Sequence, residues 1–316
     1  YGQAELEGCA VLHADGIIEA SARGTVPLEV LSVQRDVFSD AQGHVELRGP
    51  DGAAVPAGLL ARCPADLVGG DLEPMTIQGP LGAPMIDAEA HFHGGVIRVR
   101  DLPQEIRLPD GPGFRLTGRV STGGEQETGA GRATVDIATA RPGGVMVGFG
   151  EGSALLMGGV RLVDLKPDAM DVSLRGTELE FAAPGEYRVT ANPDLRVVGS
   201  ALSEPGRRSI LASGAVTITE GVYHRSFDGL ARAVGGALGR SMERYARPVT
   251  EVYPVLDEVA LDLKLRSSNF EVTSPFPFGS AELEMDVNAS VRGTLGSPEI
   301  HDVVRVRPGS TTPYAV

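Results

Sequence analysis

Two places in this chain gather residue types that do chemistry. His91 and His93 stand one residue apart in Asp87-Ala-Glu-Ala-His-Phe-His93. On a strand, alternate side chains share a face, so both imidazoles would project together as a pair of metal ligands. Asp87 and Glu89 have the same parity, but no third ligand with metal-site spacing is evident, so the pair reads as solvated polar side chains and no metal is expected. The second place is Tyr223-His-Arg-Ser-Phe-Asp228, which packs His224, Ser226 and Asp228 into five residues. Members of a Ser/His/Asp relay come from separate segments, because one strand face cannot give the relay its geometry. This stretch reads as a strand end followed by a helix cap. No G-x-S-x-G, P-loop or G-x-G-x-x-G stands in strand–helix context, and the carboxylates lie scattered, without the apolar surroundings that raise an acid's pKa. The expectation is a non-enzyme without a cofactor.

The elements that position these residues are strands. From Ala281 to Arg292 apolar and polar residues alternate without an error: Ala281, Leu283, Met285, Val287, Ala289 and Val291 against Glu282, Glu284, Asp286, Asn288, Ser290 and Arg292. Period two makes this a strand about 40 Å long with one oily and one wet face. Shorter alternating runs predict strands at 45–48, 96–100, 114–120, 133–138, 160–165, 170–175, 187–190, 195–198, 215–219 and 259–266, most of them closed by Gly, Pro-Asp, Pro-Gly or Asn-Pro turn signals. With 42 Gly, 22 Pro, no Trp and 5% aromatics, the composition is all-β and aliphatic. No linker or charge block splits the chain, so residues 1–316 read as a single continuous β domain, and the even spacing of strand and turn suits a sandwich, barrel or solenoid. The net charge of −14 repels phosphate backbones, so nucleic acid is not an expected partner.

One exception is Ser226–Arg247, where Phe227, Leu230, Ala231, Val234, Leu238, Met242 and Tyr245 recur at three- and four-residue steps. That spacing predicts one short amphipathic helix inserted among the strands and stopped at Pro248, either leaning on a sheet edge or end or docking on a membrane surface or a partner. An internal echo joins Gly79-Pro-Leu-Gly-Ala-Pro-Met-Ile86 to Gly293-Thr-Leu-Gly-Ser-Pro-Glu-Ile300, as expected of a repeated β unit re-entering one sheet. Cys9 and Cys63 belong to no metal-type spacing. They close a disulfide in an oxidising compartment if their Cα atoms meet, and are buried small hydrophobes otherwise. No run approaches the roughly 18 apolar residues of a membrane-spanning helix. Tyr1 in place of an initiator Met points to a piece or processed form of a longer chain.

Gly214-Ala-Val-Thr-Ile-Thr-Glu-Gly-Val-Tyr223, followed by the amphipathic runs Val259–Arg266 and Ala281–Arg292 and by Gly293–Ile300, resembles the carboxy-terminal region of the TamB family, a branch of the AsmA-like proteins. The likeness covers about Gly158 to Pro308. It implies an elongated, curled β-sheet, a taco- or solenoid-like trough with an aliphatic concave face. It also implies a periplasmic setting between inner and outer membrane, with an inner-membrane anchor outside this chain. The implied partners are phospholipid acyl chains and an outer-membrane barrel of the TamA type, and the implied roles are lipid transport and outer-membrane protein assembly. On that reading the groove lining is Val259, Leu261, Leu263, Leu265, Leu283, Met285, Val287 and Val291, with Glu282, Glu284, Asp286 and Arg292 on the wet outside. The alternative is a periplasmic or extracellular β scaffold that pairs an edge strand with a client protein. The two differ in where the apolar faces point: against a second sheet in a scaffold, into an open groove in a trough.

Overall fold

The alternating runs assemble into one curled sheet of 16 strands. The computed structural model describes residues 5–29, 38–49, 57–64, 75–80, 82–99, 104–121, 132–164, 166–183, 187–200, 209–223, 259–276 and 279–307. Along the chain come β1 (Glu5–Leu12), β2 (Ile17–Pro27), β3 (Phe38–Arg48), a short helix α1 (Ala57–Arg62), β4 (Met75–Pro80), β5 (Met85–Val99) and β6 (Glu105–Ser121). They are followed by β7 (Arg132–Thr139), β8 (Val145–Phe149), β9 (Gly152–Val163), β10 (Lys166–Thr177), β11 (Leu179–Ala183) and β12 (Tyr187–Ser200). The last four are β13 (Ser209–Tyr223), β14 (Ala260–Phe276), β15 (Gly279–Thr294) and β16 (Ser297–Val306).

Three places in the sheet are filled by two strands laid end to end. β3 and β4 share the slot between β2 and β5, β7 and β8 the slot between β6 and β9, and β10 and β11 both border β12. Neighbours are antiparallel throughout the described residues except at β13–β14, which run parallel.

The long strands pass through signals that read as turns in the sequence. Residues 187–190 and 195–198, expected as two strands split by Asn192-Pro193, are one strand, β12. The reason is local. Pro193 lacks a donor, and it faces the corner between β10, which pairs as far as Asp194, and β11, which begins pairing at Ala191. There the neighbouring backbone turns away, and the Asn192 Oδ1 takes the Glu178 N–H instead, at 2.7 Å. β5 likewise runs through Gly94-Gly95, and the pairing register shifts next to it at Gly43/Val45 on β3.

The echoed octapeptides are two hairpin corners of this same sheet. Gly79 and Gly293 both adopt positive φ (123° and 85°) where β4 turns into β5 and β15 into β16. In the Gly214–Tyr223 motif, Gly214 sits at φ 135°, and a Cβ there would stand 2.1 Å from the Asp194 carbonyl oxygen across the ladder. Only glycine lets β12 and β13 approach so closely.

Described strands touch mainly their ladder neighbours, and no second sheet packs on either face among the described residues. The buried apolar side chains accordingly form separate clusters: Val11 with Leu59; Phe149 with Ala154 and Leu179; and Tyr223 with Val272 and Met285.

Candidate functional site: a continuous apolar sheet face

Register carries the apolar parity from strand to strand. One row runs Val291 (β15)–Leu263 (β14)–Gly214 (β13)–Leu195 (β12)–Leu174 (β10)–Leu156 (β9)–Val145 (β8). A second runs Ile210–Gly199–Met170–Val160–Ile137–Leu116–Ala88, from β13 to β5. Both lie on one side of the sheet, since a directly paired residue points to its partner's face. Most of these side chains are half-buried, as on an oily surface with no second layer.

The eight sequence-predicted lining residues divide. Leu263, Leu265, Leu283, Val287 and Val291 are half-buried on this face, while Val259, Leu261 and Met285 are buried at 6%, 7% and 5% exposure. Met285 is sealed at one end of the sheet by Tyr223 and Val272, with Tyr187, Phe270 and Leu283 packed around them. A register shift between Ser267 and Phe270 makes that plug: it swings Phe270 onto the apolar face opposite Met285. A Cβ on Gly221 would stand 2.4 Å from the Phe270 ring, so the second glycine of the motif is the ring's seat.

The opposite face is charged and paired. Arg196 grips Asp171 through two nitrogens at 2.8 and 2.6 Å, and Arg115 holds Asp87 the same way at 3.0 and 2.8 Å. Arg161 meets Asp136 and Arg307 meets Asp286, both at 2.7 Å. Glu282 lies among residues whose side chains are not described, Glu284 is exposed within 3.7 Å of Arg307, and Arg292 is exposed. A depression of about 720 Å³ opens on this polar face, lined by Thr76, Asp87, Thr117, Arg119, Asp136 and Arg161 among others. The Arg161–Asp136 pair stands there beside Met85, Ile86 and Val163.

Hydrogen bonds from Arg196 and Arg307 hold the Asp171 and Asp286 carboxyls below the ordinary aspartate value of 3.8. A carboxylate with a depressed folded pKa adds stability above its unfolded pKa and loses it as pH falls through the folded one. Both pairs are solvent-exposed, so the contribution is small and screened. The expected outcome in a carbon-detected NMR titration is that Asp171 and Asp286 protonate below pH 3.8, and that Arg196→Gln returns Asp171 alone to the ordinary range.

The histidines differ from expectation. His91 is not solvated: it is 6% exposed, and its Nε2 lies 2.5 Å from Oε1 of Glu89, itself 7% exposed. A register shift at Ala90/His91 marks the place, and every residue from Ala88 to Phe92 is buried. His93 is exposed, hydrogen-bonded to Glu46 at 2.8 Å and stacked on His44 with ring centres 4.8 Å apart. Each imidazole is thus engaged with its own carboxylate, and no metal-type group of three gathers among the described residues. His224, Ser226 and Asp228, and with them the expected helix 226–247, lie outside the described residues.

Sequence reasoning missed α1, whose six residues are too short for a periodic signal. It was also undecided on the bond that fastens this helix. Cys9 on β1 and Cys63 just after α1 form a disulfide with Cα atoms 5.9 Å apart.

The fold and face define a class: a single-layer, curled all-β sheet with one aliphatic side and one ion-paired side. No protein-family model, curated protein or solved structure matches the chain.

Proposed function

We propose that the protein is a periplasmic segment of TamB type, whose apolar sheet face carries phospholipid acyl chains between two membranes or supports outer-membrane protein assembly. The observation that carries the reading is the unbroken apolar row from β15 to β8 with no second sheet over it among the described residues. A conduit for hydrocarbon needs area without fixed polar hooks, since each buried CH₂ contributes about 0.8 kcal/mol without directional demands. The Cys9–Cys63 disulfide supports an oxidising compartment such as the periplasm. Motion along the face would be driven from outside this chain, and a TamA-type barrel is the partner the resemblance implies.

Gentle purification followed by native mass spectrometry tests this. Wild-type protein is expected to carry phospholipid. Val160→Asp or Val291→Asp, at half-buried positions on the apolar face, should lower the bound fraction about tenfold or more, since one carboxylate on the face costs over 1.4 kcal/mol. Asn288→Asp on the wet face should leave lipid unchanged. A folded, lipid-free wild type would favour the second reading, a scaffold that pairs clients at a sheet edge. That reading draws on β1 and β16 ending the sheet, with Leu12, Ile300 and Val306 exposed there.

A further inference from the structure

The depression on the polar face has a floor set by ladder register. Two adjacent rows cross it. One is Thr76 (β4)–Asp87 (β5)–Thr117 (β6)–Asp136 (β7)–Arg161 (β9), and the other is Gln78–Met85–Arg119–Thr134–Val163 on the same strands. With neighbouring strands about 4.8 Å apart, five of them make a groove about 20 Å long running across the sheet. Its volume of about 720 Å³ falls in the range of small-molecule sites, roughly 300–1,000 Å³.

The acids of the floor are engaged, while its neutral polar groups are not. Arg115 holds Asp87, Arg161 holds Asp136, and Asp168 at the far end is drawn to the same Arg161. By contrast, the hydroxyls of Thr76, Thr117 and Thr134 and the Gln78 amide have no hydrogen-bond partner among the described residues. Thr76 matters most: it is 8% exposed yet borders the depression, and a polar side chain so enclosed is ordinarily hydrogen-bonded. Arg119 is exposed, and the one polar contact of its guanidinium among the described residues is the Met85 Sδ, a weak acceptor, at 3.6 Å.

These groups select the ligand. A small anion would find one unpaired cation, Arg119, beside Asp87, Asp136 and Asp168 in a chain of net charge −14. An extended peptide read through its main chain needs open N–H and C=O groups, and those of the floor strands are spent in the ladders. Sugar hydroxyls both donate and accept. They meet the three threonines and Gln78 directly, and they add to spare carboxylate lone pairs and guanidinium N–H groups without breaking an ion pair. Met85, Ile86 and Val163 border the same space and offer apolar surface to the C–H faces of sugar rings. We infer that this groove binds an uncharged oligosaccharide, laid across β4 to β9, with Thr76, Thr117 and Arg119 hydrogen-bonded to its hydroxyls. The groove lies on the face opposite the apolar rows, so the lipid reading is not involved.

Methyl-resolved NMR on the intact chain tests it, with chitotriose, maltotriose and cellotriose as probes and inorganic phosphate as the competing class. At least one trisaccharide is expected to shift the methyl signals of Met85, Thr117, Thr134 and Val163 together, with a Kd of about 1 mM, and to leave Val291 on the other face unmoved. Arg119→Ala and Thr117→Val, both at exposed positions, should keep the wild-type urea midpoint and each weaken binding about fivefold or more. Asn288→Asp, outside the groove, should bind as wild type does. No shift from any of the three sugars at about 10 mM, well above that Kd, would overturn the inference. So would shifts scattered over both faces, wild-type affinity in both variants, or phosphate moving the same methyls at lower concentration than any sugar. Lipid retention in Arg119→Ala and Thr117→Val is expected to match wild type, so either proposal can fail alone.

Discussion

Met285→Arg is expected to unfold one end of the sheet, not merely to roughen an oily surface. Met285 is 5% exposed, and Tyr223, Val272, Tyr187, Phe270 and Leu283 close around it. Deleting such a side chain costs about 2–5 kcal/mol through lost transfer energy and the cavity left behind. Arginine adds a buried, unpaired charge worth several kcal/mol more. In a protein stable by about 5–15 kcal/mol, that is most of the margin. The chain has no Trp, and two of its six tyrosines, Tyr187 and Tyr223, lie in this cluster, so tyrosine fluorescence and near-ultraviolet dichroism respond to its state. The expected outcome is a urea midpoint far below wild type for Met285→Arg, an intermediate one for Met285→Ala, and little change for Asn288→Asp. Wild-type stability in Met285→Arg would show the position to be open groove.

Reducing the Cys9–Cys63 bond is expected to act at the other end and to stay there. The bond closes a loop of 54 residues' separation, for which chain entropy predicts about 4 kcal/mol. It fastens α1 against the edge strand β1, where Val11 and Leu59 form only a two-residue cluster with Cys63. Because strands touch mainly their ladder neighbours, stability passes along the sheet by nearest-neighbour contacts, as in repeat proteins. Hydrogen exchange should therefore show Cys9→Ser/Cys63→Ser losing protection in β1 and α1, while β9–β15 exchange as in the oxidised wild type. Uniform loss across the sheet would mean that the fold is cooperative throughout, against the single-layer account.

Much of this was legible in the residues because the physics is local. Alternation at 259–266 and 281–292 fixes which side chains share a face, whatever the strand later pairs with, so the composition of the apolar side could be read before any topology. The turn chemistry of the echoed octapeptides was legible for the same reason, each needing its positive-φ glycine at a hairpin corner. Where a turn signal failed, as at Asn192-Pro193, the deciding fact was a neighbour: the gap between β10 and β11 excuses the missing donor. His91 gives the same lesson in polar form. Its partner Glu89 is two residues away in sequence, but its burial depends on what surrounds β5.

The sequence by itself determined an all-β chain with an oily and a wet side, since period two and turn residues act over a few positions. Only the tertiary structure decided that the oily sides join into one unbroken row, that Met285 is plug while Leu263 and Val291 are surface, and that Cys9 meets Cys63. Each of those depends on register between distant strands. A one-residue slip turns every side chain to the other face, and no local pattern encodes how β13 comes to lie parallel to β14.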